Sequence, residues 1–164
     1  MNSSTVIDKI SDLNYKGFKE AYLRQMEDVN YNQLSFEERL YDLLDSEYMF
    51  LKNKRIAMNF KLSRIKDKQA VLEELDYSPK RKLNKSWILS LASMNFLKAK
   101  QNIIINGKTG CGKSFLAQAL GNRAIFEGFT VYYIRTSNLL EEIKLSRIDG
   151  SYTNLVKRFA RYKL

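Results

Sequence analysis

Histidine is absent from the 164 residues, and there is one cysteine, Cys111, and one proline, Pro79. Each scarcity excludes something. Without histidine there is no imidazole for acid–base work near neutral pH and none to ligate a metal. A lone cysteine forbids an intramolecular disulfide and a structural zinc site, and it fits a reducing compartment, so the expected location is the cytoplasm. No apolar run reaches the ~20 residues of a membrane span, so no membrane partner is expected. Met1-Asn2-Ser3-Ser4 lacks the basic stretch and apolar core of a signal peptide. What is present, 45% hydrophobic and 28% charged residues, is the make-up of a globular chain of one domain, or of one domain with a small extension.

Acidic residues are also scarce, but only after residue 50. Residues 1–50 hold 5 Lys/Arg and 10 Asp/Glu, residues 51–100 hold 13 and 4, and residues 101–164 hold 10 and 4. The net charge of +10 is therefore an acidic head of −5 on a basic body of +9 and +6. A basic body suggests contact with a polyanion, nucleic acid above all. A solvated surface with no such partner is the other reading.

Helical spacing dominates the first third. Ile7, Ile10 and Leu13 fall on one face, and Phe18, Tyr22 and Met26 make a second stripe after Gly17. Asn30-Tyr31-Asn32-Gln33 reads as a loop. Ser35-Phe36-Glu37-Glu38 is a capping box, whose hydroxyl and carboxylate each satisfy a backbone N–H at a helix start. Behind it Phe36, Leu40, Leu43, Leu44, Tyr48, Leu51, Met58, Leu62 and Ile65 keep helical spacing for about 30 residues, roughly 45 Å if unbroken, with Asn53 and Asn59 as places for a break. The character changes over 70–85, where Pro79 holds Ser78 extended and Lys80-Arg81-Lys82 follows. The resulting division is a helical region 1–69, a linker and helix 70–101, and an α/β pattern over 102–164. Asn84 caps the helix of the linker, which carries Trp87, Ile88, Leu91, Met94 and Leu97.

In the last part, Ile103-Ile104-Ile105 is a short apolar run of the kind expected of a parallel strand buried on both faces. A helix from about Lys113 to Glu127 is stopped by Gly128. Thr130–Ile134 reads as a second strand. Asn138–Arg147 and Ser151–Arg161 read as helices joined by an Asp149-Gly150 turn.

Between the first strand and its helix lies Gly107-Lys108-Thr109-Gly110-Cys111-Gly112-Lys113-Ser114, which matches G-x-x-x-x-G-K-[ST] at every fixed position. The chemistry explains the spacing. Phosphates need a concave ring of backbone N–H donors, and glycine permits the necessary turns. The helix that follows presents its positive end to the anion. Lys113 is placed to reach the β- and γ-phosphates and the Ser114 hydroxyl to ligate Mg²⁺. The loop implies ATP or GTP binding, or descent from a protein that bound one. Cys111 is read as a small residue at a variable position, although a thiol at a helix start can also be activated.

With these segments in view, the chain resembles the IstB-like ATPases, helper proteins of certain insertion sequences related to the DnaC helicase loader. Leu34-Ser35-Phe36-Glu37-Glu38-Arg39-Leu40, Leu43 to Tyr48, Lys54-Arg55 and Leu72 to Tyr77 carry the likeness. So do the phosphate loop, Gly128-Phe129-Thr130-Val131, Leu139-Leu140 and Asp149-Gly150-Ser151. The resemblance implies an α/β P-loop NTPase of AAA+ type, preceded by an all-α N-terminal adaptor region. It implies ATP with Mg²⁺, self-assembly as a homo-oligomer on DNA, and a transposase partner. Lys80, Arg81, Lys82 and Lys85 become the candidates for non-specific DNA phosphate contacts, and Tyr77 is placed near the adenine. The family's second carboxylate site, an apolar strand ending in paired acids, has no counterpart after Ser114. The acids there are Glu127, Glu141, Glu142 and Asp149. The fold is therefore expected to be incomplete C-terminally, with no catalytic residue assigned. Strands 103–105 and 130–134 are expected either to stand apart or to pair directly as one right-handed βαβ unit. A DnaC-like helicase loader and a non-catalytic DNA- or protein-binding relic stand as alternatives.

Overall fold

The structure, a computed structural model, describes residues 3–81 and 83–164. The chain divides into two compact units, Met1–Arg55 and Ile56–Leu164. Among the described residues no helix is long and apolar enough to cross a membrane.

The first unit is built from α1 (Ser3–Asp12), α2 (Lys16–Glu27) and the first part of α3 (Phe36–Ser63). The predicted capping box starts α3: the Ser35 N–H donates to Glu38 Oε2 at 2.8 Å and the Glu38 N–H to Ser35 Oγ at 3.2 Å. A short 3-10 turn, Val29–Gln33, fills the expected loop. Gly17 sets how closely α2 meets α3, because a Cβ there would stand 2.4 Å from the Ser46 carbonyl oxygen and 2.8 Å from Phe50 Cβ. Beside it, the Phe18 N–H donates to Glu47 Oε2 at 3.0 Å, so a carboxylate serves the positive end of α2. At the other end of the pair, Arg24 holds both oxygens of Asp42 at 3.0 Å. The buried Gln25 amide donates to the Arg39 carbonyl and to Asp42. Apolar burial is modest: Ile10, Ala21 and Leu43 are inside, whereas Val29, Phe36 and Tyr41 are each at least 70% exposed.

The second unit begins inside α3, which runs through Asn53 and Asn59 without a break. Asn59 is instead a buried tie, its side-chain amide donating to the Phe129 carbonyl at 3.3 Å. The predicted single helix of the linker forms as two short ones, α4 (Lys85–Leu91) and α5 (Asn95–Lys98). Met94 separates them in a left-handed conformation, φ 54°, and its side chain is fully buried. Asn84 caps α4 as expected, accepting from the Trp87 N–H at 2.9 Å. Three longer helices follow: α6 (Lys113–Phe126), α7 (Thr136–Ile148) and α8 (Tyr152–Phe159). Gly128, at φ 86°, closes α6, with the Phe129 N–H returning to the Ala124 carbonyl at 2.9 Å.

The core gathers Ile65, Ala70, Leu72, Leu75, Ile88, Met94, Phe96 and Val131 around Ala119, Leu120, Ala124 and Ile125 of α6. Polar side chains of α6 fasten the preceding loop to it. Gln118 Oε1 accepts the Lys66 and Asp67 N–H groups at 3.1 and 3.0 Å. The buried Asn122 amide donates to the Asp67 and Ala70 carbonyls, both at 2.9 Å. Gly121 lets the helix approach closely, since a Cβ there would meet Ile65 Cδ1 at 2.8 Å.

The α/β expectation is not met among the described residues: neither 103–105 nor 130–134 forms a strand. Paired strands lie about 4.7–4.9 Å apart. Here two clefts, of 490 and 340 Å³, have Ile103, Tyr132 and Ile134 in both their walls, so the two segments stand apart. Residues 130–133 bond elsewhere. The Tyr132 N–H donates to the Leu164 carbonyl at 2.9 Å and the Leu164 N–H to the Thr130 carbonyl at 3.2 Å, a parallel-neighbour register. The Tyr133 N–H takes the free carbonyl of Ser63 at the end of α3, at 2.7 Å. Nor is the triple-Ile run buried on both faces, because Ile104 is 82% exposed.

Glu142 ties the C-terminal part together. It accepts from Arg64 at 2.7 Å and from Arg158, and the Tyr132 hydroxyl lies 3.4 Å away. Both guanidinium groups lie over the Tyr132 ring.

Two predictions follow from this packing. Gly17→Ala is expected to destabilise the helix pair by about 1–3 kcal/mol, the usual cost of overpacking. A lowered midpoint of chemical denaturation, followed by circular dichroism, checks it. For Glu142, burial alone would raise the carboxyl, but hydrogen bonds and charge from Arg64 and Arg158 hold it below the ordinary glutamate value. A depressed folded pKa gives stability that is present above the unfolded value of about 4.3 and lost as pH falls through the folded one. Thermal melts between pH 5 and pH 3 should therefore show a falling Tm, with a shallower fall in Glu142→Gln. The difference corresponds to roughly 1 kcal/mol for a partly exposed pair.

Candidate phosphate-binding site

The loop Gly107–Ser114 runs from the extended 103–105 segment into α6. Its glycines have different duties. Gly110 and Gly112 adopt φ 79° and 87°, a region costly for other residues. Gly107 is there for proximity, since a Cβ would meet Cys111 Sγ at 2.8 Å. Nothing lies within 4 Å of the position a Cβ would take at Gly110, so that side of the loop is open. Gly112 is also the N-cap of α6, and no side chain bonds the first amides of the helix. An uncapped helix start beneath an open glycine turn suits an anion.

Lys113 projects back across the loop. Its ammonium donates to the carbonyls of Gly107 at 2.8 Å and Lys108 at 2.7 Å, and Cys111 Sγ is 3.9 Å away. The cation is thus held at the loop with main-chain oxygens as its partners. Ser114, Lys108, Thr109 and Cys111 are exposed, and the Cys111 thiol is free. The eight residues run consecutively through one loop into the start of α6.

Three of the four acids after Ser114 serve other contacts, and Glu141 is exposed. Glu127 pairs with Arg123 at 2.9 Å, Glu142 with Arg64 and Arg158, and Asp149 accepts the Ser151 N–H at 2.9 Å. Among the described residues no cluster of three or more metal-ligating side chains exists. The two large clefts between the extended segments hold none of the loop residues.

Of the four basic candidates ahead of the loop, Lys82 and the side chain of Lys80 lie outside the described residues. The Lys85 ammonium stands over the Tyr77 ring, 5.4 Å from its centre. The Tyr77 hydroxyl donates to the Leu72 carbonyl at 2.8 Å, and burial pushes the phenol up from its ordinary value. Arg81 lies at the phosphate loop itself: its terminal nitrogens are 3.7 and 3.9 Å from the Cβ position of Gly112. Nothing local in the sequence links Arg81 to Gly112. The proximity comes from the fold that brings the 79–81 turn onto α6.

The family described as IstB-like ATP binding protein matches residues 8–164 of the chain. The chain is 32% identical over 161 residues to the protein named as the ATP-binding protein of insertion sequence IS1162 from Pseudomonas fluorescens, covering 98% of this chain and 70% of that one. It is 29% identical over 164 residues to the insertion sequence ATP-binding protein y4pL of Sinorhizobium fredii, covering 100% and 66%. To the IS232 ATP-binding protein of Bacillus thuringiensis it is 30% identical over 133 residues, covering 81% and 53%. The chain spans 53% to 70% of the length of these three relatives. With its phosphate loop intact and a match over nearly all of its residues, the chain belongs to the IstB-like ATP-binding family.

Proposed function

We propose that the chain binds ATP with Mg²⁺ through Gly107–Ser114 and acts as an ATP-binding helper of DNA transposition, beside a transposase. One observation carries the reading: an open glycine loop with Lys113 at the uncapped start of α6, in a chain whose relatives are named as ATP-binding proteins of insertion sequences. In this role the loop amides and Lys113 hold the phosphates, and Ser114 ligates the Mg²⁺ that bridges them. The reading is one of binding, because three of the four acids that follow Ser114, Glu127, Glu142 and Asp149, are engaged in ion pairs and turns.

The excess of positive charge over residues 51–164 supports contact with DNA phosphates. Such contact is indifferent to base sequence and weakens steeply with salt. Assembly of several copies on DNA in the cytoplasm belongs to the same proposal. The region 1–69 would then meet the partner, 70–101 would lead into the site, and 102–164 would carry it.

Titration of the chain with a fluorescent ATP analogue tests the reading. Lys113→Ala should weaken binding roughly ten- to a hundredfold, the scale of a lost charge-assisted hydrogen bond. Ser114→Ala should remove the benefit of added Mg²⁺. Equal affinity in wild type and Lys113→Ala would sink the nucleotide reading. Co-purification with the transposase of the same insertion sequence supports the helper role, and capture of a replicative helicase instead would transfer the chain to the loader role.

A further inference from the structure

We propose that Arg81 is a second phosphate ligand of the nucleotide site, supplied by the turn ahead of the helical linker, and that Asp76 holds it in place beside the loop. The proposal rests on the nucleotide reading of Gly107–Ser114 and adds a residue and a positioning contact to it.

The geometry is directional. Residues Pro79–Arg81 form a 3-10 turn, closed by the Arg81 N–H on the Ser78 carbonyl at 2.9 Å. The turn is braced by Asp76, whose carboxylate accepts the Ser78 N–H at 2.9 Å and the Ser78 hydroxyl at 3.3 Å. The same carboxylate lies 3.5 Å from Arg81 Nε. That contact uses the inner nitrogen of the guanidinium. The two outer nitrogens face Gly112 at 3.7 and 3.9 Å from its Cβ position. An arginine held by its Nε offers its planar terminal pair to a second partner, and phosphate matches that pair in shape and charge.

Among the described residues the surroundings hold no such partner. Gly112 has no side chain, and the next residue is the other cation of the loop, Lys113. Two positive groups at one glycine turn repel each other unless an anion lies between or beside them. Asp76 reaches this arginine at Nε, at 3.5 Å. Arg81 is also free to move onto a ligand, since its side chain is one third exposed.

The position selects the phosphate. The amides around Gly112 cradle the α- and β-phosphates, while Lys113 extends to the β- and γ-phosphates. Arg81 therefore contacts the α/β pair. The phosphate takes the terminal pair while Asp76 keeps the Nε side, so the Asp76–Arg81 contact persists when nucleotide binds. The wider link is mechanical: the 76–81 turn is joined through Leu72 and Leu75 to the core around α6, so nucleotide occupancy is reported to the linker.

Calorimetric titration of the full chain with ATP, ADP and AMP tests this, using wild type, Arg81→Ala, Arg81→Lys, Asp76→Asn and Lys113→Ala. Arg81→Ala is expected to weaken ATP and ADP alike by about tenfold or more, to weaken AMP, which keeps only the α-phosphate, by less, and to keep the wild-type melting profile. Arg81→Lys, which keeps the charge and loses the fork, should fall between the two. Asp76→Asn, which loosens the hold on the arginine, should weaken ATP a few-fold. Unchanged ATP and ADP affinity in a folded Arg81→Ala, with Lys113→Ala still impaired, would overturn the role of Arg81 and leave the nucleotide reading standing. No ATP binding by wild type would overturn both. Loss of DNA binding alone in Arg81→Ala would return the residue to the DNA surface and also end the proposal.

Discussion

The buried amide of Asn122 does more to order the second unit than its size suggests. It sits on the inner face of α6 and donates to two main-chain carbonyls, those of Asp67 and Ala70. Those carbonyls belong to a loop with no regular structure of its own, and unpaired they would be costly to bury. Gln118, one turn earlier, accepts the amides of Lys66 and Asp67. The helix that leaves the phosphate loop thus supplies the hydrogen bonds that the preceding loop lacks. The same contacts position the chain for Leu72 and Leu75 and, beyond them, for the turn that carries Arg81. Core, phosphate loop and arginine are linked through one helix.

The extended segments show the same dependence from the opposite side. Residues 129–133 find partners in Asn59, Leu164 and Ser63 and are held firmly. The 103–105 segment has its middle isoleucine almost fully in solvent. An apolar run satisfies a sheet only when neighbours lie on both sides of it, and the clefts beside Ile103 and Ile105 show that the neighbour on one side is not residues 130–134. The phosphate loop therefore stands on a well-packed helix and a poorly packed lead-in.

Local chemistry was legible in the residues, and long-range chemistry was not. Ser35 with Glu38, Asn84 with Trp87, and Gly128 after α6 each form the cap that their spacing predicts, because donor and acceptor lie within five residues. Strand pairing depends on which distant segment arrives alongside, and periodicity carries no such information. The Glu142 network joins Arg64, 78 residues upstream, to Arg158, and the acid had been read only as one that lacks a catalytic setting. Met94 is a helix-forming residue in most contexts. Here its burial in the core outweighs the strain of a left-handed backbone. Arg81, expected among the DNA phosphate contacts, is drawn to Gly112 by the course of the chain.

The bonds that Lys113 makes to Gly107 and Lys108 have a further effect. They turn the loop into its own competitor. An intramolecular rival acts at a fixed local concentration, which dilution does not lower. Any phosphate that enters must displace it, and the observed affinity is the intrinsic one scaled by the fraction of loops already open. Because both rival groups are main-chain carbonyls, replacing the side chain at residue 108 leaves them in place. The self-occupied state is thus a property of the backbone trace, and changes at the variable positions of the loop would leave that discount in place.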